Sequence, residues 1–167
     1  MSSGRAGPTV RPAAAADLPE VFRLAALMYD AMGWDAAGRE WREAGTAQLQ
    51  ERLGRDVMVM VAEDPERPDR LAATAAASIA TRLPGPRDPT ARVAYIQWVS
   101  TDPAWRRRGL ARAVTAALLR WLADERVLSV ELHATAEAEP IYLALGFAQG
   151  PHPSMRLRLT PSQAGAP

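Results

Sequence analysis

Apolar strands alternate with amphipathic helices along this chain of 167 residues, and the succession predicts an α/β (α+β) fold built on one sheet. Three observations carry that expectation. Residues 93–99 are β-branched and aromatic, Asp102-Pro103 is a breaker, and from Gly109 onward Leu110, Val114, Leu118, Leu119 and Leu122 recur at helical spacing. A further apolar strand, residues 127–134, follows that helix, and a strand–helix–strand succession of this length implies a right-handed parallel crossover. Upstream, residues 57–62 and the small-residue run 71–81 read as paired strands across the turn Asp64-Pro65-Glu66-Arg67-Pro68-Asp69.

Taken in order, residues 1–8 are expected to be a flexible tail and Thr9-Val10-Arg11 a short first strand. Asp17 is a candidate N-cap, with Glu20 at capping-box spacing. Leu18, Val21, Phe22, Ala25 and Met28 then mark a first helix, which runs out in residues 28–35, a loop rich in large side chains. A second helix is predicted over residues 37–53, closed by Gly54. The breaker-rich loop 83–89 leads into the central strand. After the crossover, Pro140 opens a short helix, where its missing N–H costs nothing, and Gly146 ends it. Ser154-Met155-Arg156-Leu157-Arg158-Leu159 alternates as a closing strand, and residues 160–167 are expected to be a second flexible tail. The expected organisation is one domain over residues 9–159, without internal repeats.

Composition narrows the chemistry. The apolar fraction of 48% and net charge of +1 describe an ordinary globular domain that nothing global draws to nucleic acid or anionic membrane. No apolar run approaches the ~20 residues of a membrane span, and the first twelve residues lack a signal-peptide core, so the cytoplasm is the expected location. All 20 basic residues are arginine. The missing lysine removes P-loop, Schiff-base and protein-kinase chemistry. Without cysteine there is no thiol nucleophile or thiolate metal site, and two histidines, His133 and His152, exclude a multi-histidine one, so no metal is expected. No G-x-S-x-G elbow is present. What remains is chemistry by binding and positioning, such as acyl transfer from a thioester that already carries the activation energy.

The junction of the central strand and its helix is suited to an anion. Free backbone N–H groups of a first helical turn point outward, the helix dipole favours negative charge there, and Gly109 and Ala111 keep the approach open. Arg106-x-x-Gly109-x-Ala111 in this setting resembles the acyl-CoA pyrophosphate-binding motif of the GNAT acyltransferase superfamily, Arg/Gln-x-x-Gly-x-Gly/Ala. Tyr142-Leu143-Ala144-Leu145-Gly146-Phe147 resembles its second signature, Tyr-x-x-x-Gly-Phe. With the strand pattern, the resemblance covers residues 9–159.

The resemblance implies a mixed, mostly antiparallel sheet of six to seven strands flanked by helices. Its fourth and fifth strands would run parallel and splay apart to admit the pantetheine arm of acetyl-CoA. It further implies that the backbone amides of Arg107, Arg108, Gly109, Leu110 and Ala111 hold the pyrophosphate, with Arg106 and Arg112 nearby. Trp98, Val99 and Thr101 would border the pantetheine, with backbone pairing at Val99 and Thr101. Thr135 stands where relatives often carry a cofactor-binding asparagine. Tyr142 would protonate the leaving thiolate, for which a phenol pKa near ~10 is suitable.

The expected reaction is direct transfer of an acetyl group to a primary amine of a small molecule or peptide. Many relatives carry a glutamate base where this chain has Gln97, and an amide cannot accept the ammonium proton. That leaves Glu131 or His133, two apart on one strand face and reached through water, or an amine bound already deprotonated. The catalytic candidates are therefore Tyr142, Gln97 and Glu131. Candidate acceptor contacts are Tyr29, Trp34, Gln97 and His133, with Asp30 and Asp35 able to attract a cation. Gln97 also motivates an alternative, a non-catalytic acyl-CoA-binding module. A nucleic-acid partner is not expected, and a homodimer is compatible with the resemblance.

Overall fold

The computed structural model describes residues 7–159. Of the two expected flexible tails, residues 1–6 and 160–167 lie outside the described residues. One mixed sheet has its strands in the order β1-β2-β3-β4-β5, with β1 Val10–Pro12, β2 Val57–Glu63, β3 Leu71–Thr81, β4 Arg92–Thr101 and β5 Ser129–Glu131. The first four pair antiparallel, and β5 lies parallel to β4 after the crossover helix.

Strand alternation assigns each face its core. From β2, Val57, Val59 and Val61 pack with Leu18, Val21, Phe22 and Leu24 of helix α1, Leu18–Ala31, and with Leu49 of helix α2, Glu40–Arg52. Met58, Met60 and Ala62 point the other way, onto Leu110, Val114, Leu118 and Leu122 of helix α3, Leu110–Asp124. The alanines of β3 supply little bulk, so α3 lies close over the sheet centre. Helix α4, Glu139–Leu143, rests beside α3.

Several sequence expectations are corrected. Five strands form among the described residues rather than six or seven. Residues 154–159 alternate as a strand would, yet they adopt no strand, and Met155 and Leu157 stand 94% and 80% exposed. Alternation supplies a face but not a neighbour, and β5 is too short to offer one. The strand expected over 127–134 is thus confined to Ser129–Glu131. Helix α2 starts at Glu40, after Asp35 has taken the Ala37 N–H. The capping box at Asp17 does not form, because its carboxylate accepts two hydrogen bonds from Arg11 and one from the Ala14 N–H. Glu20 instead accepts from Arg23 and from the Leu71 N–H.

Candidate functional site

The site grows from an irregularity in β4. Gln97 pairs with Ala76 and Ser100 with Thr74, so Trp98 and Val99 together oppose Ala75 alone. This is a β-bulge, and Trp98 takes φ +55°, a left-handed value uncommon for so bulky a residue. The extra residue breaks the alternation. Gln97 and Trp98, neighbours in sequence, both line one groove of about 330 Å³ on the α1/α2 face, while Val99 packs towards α3.

Already before the bulge, β4 loses its outer neighbour. Pairing with β5 runs through Val93–Ser129, Ala94–Val130 and Tyr95–Glu131 and stops there. From Ile96 to Thr101 that edge has no strand partner among the described residues. The implied splaying of the two parallel strands is therefore present, and it exposes backbone donors and acceptors to an extended ligand.

The strand ends in Asp102, whose carboxylate is 9% exposed, accepts the Ala104 N–H at 3.0 Å and pairs with Arg23 of α1 at 2.8 Å. A short turn, Pro103–Trp105, follows. Arg107 and Gly109 then adopt φ +63° and +77° before α3 begins at Leu110. Backbone N–H groups around such left-handed residues form an anion-binding concavity, and a helix start adds its dipole. The N–H groups of Arg107 through Arg112 find no acceptor among the described residues. A row of unsatisfied donors fits a diphosphate, so the residues present suit the nucleotide end of acetyl-CoA. The arginine side chains are spread rather than stacked: Arg106 Nε turns back towards the Thr101 carbonyl at 3.5 Å, and Arg108 lies over Trp105 at 4.5 Å. Arg112 is exposed on the first turn of α3.

Tyr142 is buried on α4, 7% exposed, with its ring edge-on to Phe147 at 5.8 Å. Its hydroxyl has no hydrogen-bond partner among the described residues, and burial pushes its pKa above the ordinary tyrosine value. The group therefore keeps its proton. Thr135 caps the turn before α4 by accepting the Ala138 N–H at its carbonyl and hydroxyl oxygens.

On the α1/α2 face, Tyr29 accepts a hydrogen bond from Trp98 Nε1 at 2.9 Å, and Trp34 stacks on Tyr29 at 5.6 Å. The groove itself is walled by Trp41, Leu49, Val57, Gln97 and Trp98, with Arg52 at its rim. Tyr29 and Trp34 support Trp98 and Trp41 rather than lining the groove. Trp41 escaped the sequence reading, although Trp41, Ala44, Gln48 and Arg52 share one helical face and could have been found that way. Asp30 and Asp35 accept backbone N–H groups of their own loop.

Glu131 on β5 is engaged. Arg82 grips both its carboxylate oxygens, at 2.8 and 2.7 Å, and holds its pKa below the usual carboxylate value. His133 lies further along the same edge, with Nδ1 2.7 Å from the Tyr95 hydroxyl. Neither Tyr95 nor Arg82 carries a motif that singles it out in the sequence. No group of side chains among the described residues is arranged to hold a metal ion, and no described helix is long and apolar enough to cross a membrane.

The chain and its fold have counterparts among known proteins. A family model described as the acetyltransferase (GNAT) family matches residues 23–147. Among solved structures, a predicted acetyltransferase with acetyl-CoA from Clostridium acetobutylicum superposes with a TM-score of 0.78 at 20% identity, over 90% of this chain and 95% of that one. A GCN5-related N-acetyltransferase from Ralstonia eutropha JMP134 gives 0.75 at 23% identity, over 90% and 99% of the two chains. Glucosamine-6-phosphate N-acetyltransferase from Arabidopsis thaliana gives 0.71 at 17% identity, over 89% and 97%. No significant match is found among curated proteins. At these identities the structures speak for the fold, while the family model spans most of the chain and both motifs. The chain belongs to the acetyltransferase (GNAT) family, acyltransferases whose acyl donor is acetyl-CoA.

Proposed function

We propose that this acyltransferase moves an acetyl group from acetyl-CoA directly to a primary amine of a small molecule or peptide, with the cytoplasm as its expected location. The observation that carries the site assignment is the unsatisfied N–H row of Arg107 through Arg112, set beside the open edge of β4. Acetyl-CoA supplies the activated acyl group as a thioester. The backbone of residues 107–111 binds the diphosphate, with Arg106, Arg108 and Arg112 adding positive potential. The open edge at Val99 and Thr101 receives the pantetheine amides as a neighbouring strand would. Tyr142 donates its hydroxyl proton to the departing sulfur. A covalent enzyme intermediate is not needed and has no cysteine to form on.

The groove under α2 holds the acceptor. Its walls are largely aromatic and aliphatic, and Gln97, Ser78, Gln48 and Arg52 supply its polar groups. Isothermal calorimetry with acetyl-CoA, followed by acetylation assays on a panel of primary amines, tests the proposal. Tyr142→Phe is expected to lower kcat by about 100-fold with acetyl-CoA affinity kept. Acetyl-CoA binding without acetylation of any amine would reduce the chain to a binding module, and failure to bind would remove the site assignment altogether.

A further inference from the structure

Gln97 leaves the incoming ammonium without an acceptor for its proton, and the fold places another group across the opening. Tyr95 is the last residue of β4 to pair with β5, level with Glu131, and Gln97 and His133 each follow two residues beyond that last pair. Tyr95 and Gln97 lie on the same face of β4, opposite Ser78 and Ala76, and all but Tyr95 line the acceptor groove. His133 is exposed, and its ring is tethered to that face by the Tyr95 hydroxyl at 2.7 Å from Nδ1, with ring centroids 5.7 Å apart. We infer that His133 is the base that takes the proton of the acceptor ammonium, with Tyr95 as its positioning residue. The inference rests on the acetyl-transfer reading above.

The Tyr95–Nδ1 contact admits either tautomer, and the base is the one in which Nδ1–H donates to the Tyr95 oxygen and leaves the Nε2 lone pair free. Around the ring stand Glu131, the last residue of β5 and two before His133, and Arg82, one residue past β3, locked to each other. Glu131 is close enough to His133 to interact with it electrostatically. Nε2 removes one proton from R–NH3+, freeing the nitrogen lone pair. The C–N bond to the acyl carbon then forms, the C–S bond breaks, and the sulfur receives the Tyr142 proton. Tyr142 regains a proton from the nitrogen that becomes the amide, and His133 releases its own to water. Gln97 remains to hydrogen-bond the amine and fix its direction.

The test uses the whole chain with acetyl-CoA and phenethylamine, tryptamine, spermidine, glucosamine 6-phosphate and a tripeptide with a free N-terminus, carrying forward the best acceptor. His133→Gln is expected to lower kcat/KM for the amine by about 100-fold and to remove the ascending acid limb of its pH profile. The thermal shift produced by acetyl-CoA should be unchanged. Tyr95→Phe is expected to keep that limb and lower kcat by about tenfold. His133→Gln with an unchanged rate and acid limb overturns the base while leaving acetyl transfer intact. A wild-type chain that acetylates none of the amines overturns both readings. Because His133 is exposed, loss of activity with an unchanged melting temperature separates catalysis from folding.

Discussion

Backbone conformation at single residues does much of the work in this site. Gly109 sits at φ +77° with nothing within 4 Å of where a Cβ would stand, so Gly109→Ala meets no clash and is penalised by the left-handed backbone alone. That penalty is about 1 kcal/mol, to be read as a shift of the urea midpoint, and acetyl-CoA affinity should fall with it as the turn relaxes. Arg107 at φ +63° and Trp98 at φ +55° bear a similar cost without glycine's freedom. At Trp98 the surroundings compensate: the ring meets Phe22 edge-on at 5.2 Å and donates to Tyr29. Both residues flank the places where β4 stops behaving as a strand, and neither carries a local sequence signal for positive φ. Arg106, Gly109 and Tyr142 stand out in the sequence because residue type and spacing there match the family motifs, whereas Tyr95 stands out only once the chain after β5 sets His133 against it.

Among the elements, β4 is the organiser. It is antiparallel to β3, parallel to β5, kinked at Trp98–Val99 and ended by Asp102. The Asp102–Arg23 pair ties the turn before α3 to α1, and Arg23 is held in addition by Glu20 and the Leu71 carbonyl. Asp102→Ala would leave the Ala104 N–H and Arg23 Nη1 without their acceptor, while Glu20 and the Leu71 carbonyl keep the rest of the guanidinium. We expect a loss of roughly 2 kcal/mol in chemical denaturation and a weaker calorimetric affinity for acetyl-CoA, with the KM for amine little changed. An unchanged acetyl-CoA affinity would show that the turn holds its shape without the clamp. Helix α2 is the counterexample in legibility. Its composition suggests a helix, but with Leu49 as its buried residue nothing in its pattern says which side becomes the wall of the groove beside Gln97 and Trp98.

For the molecule as a whole, arginine–carboxylate pairs set the response to acid. Hydrogen bonds from Arg11 hold the Asp17 carboxyl below its ordinary 3.8, and those from Arg52 and Arg82 do the same for Asp56 and Glu131. A carboxylate whose folded pKa is depressed stabilises the fold above its unfolded value, and that stability is lost as pH falls through the folded value. The melting temperature should therefore be flat from about pH 8 to 5 and decline below about pH 4. Asp17→Asn should make that decline shallower in a calorimetric pH series. A melting temperature that rises on acidification would contradict the pairing.

From its own residues the chain determined the hairpin, the crossover, the turn that opens α3 and the placing of Tyr142 on a short helix, because each depends on local periodicity, a breaker, or residue types at fixed spacing. The third dimension decided the rest: that residues 154–159 find no partner strand, that the bulge turns Gln97 and Trp98 to one side, and that Tyr95 meets His133 where β4 and β5 part. Those outcomes depend on which strand edges and helix faces meet across long stretches of chain, and no short window of sequence holds that information.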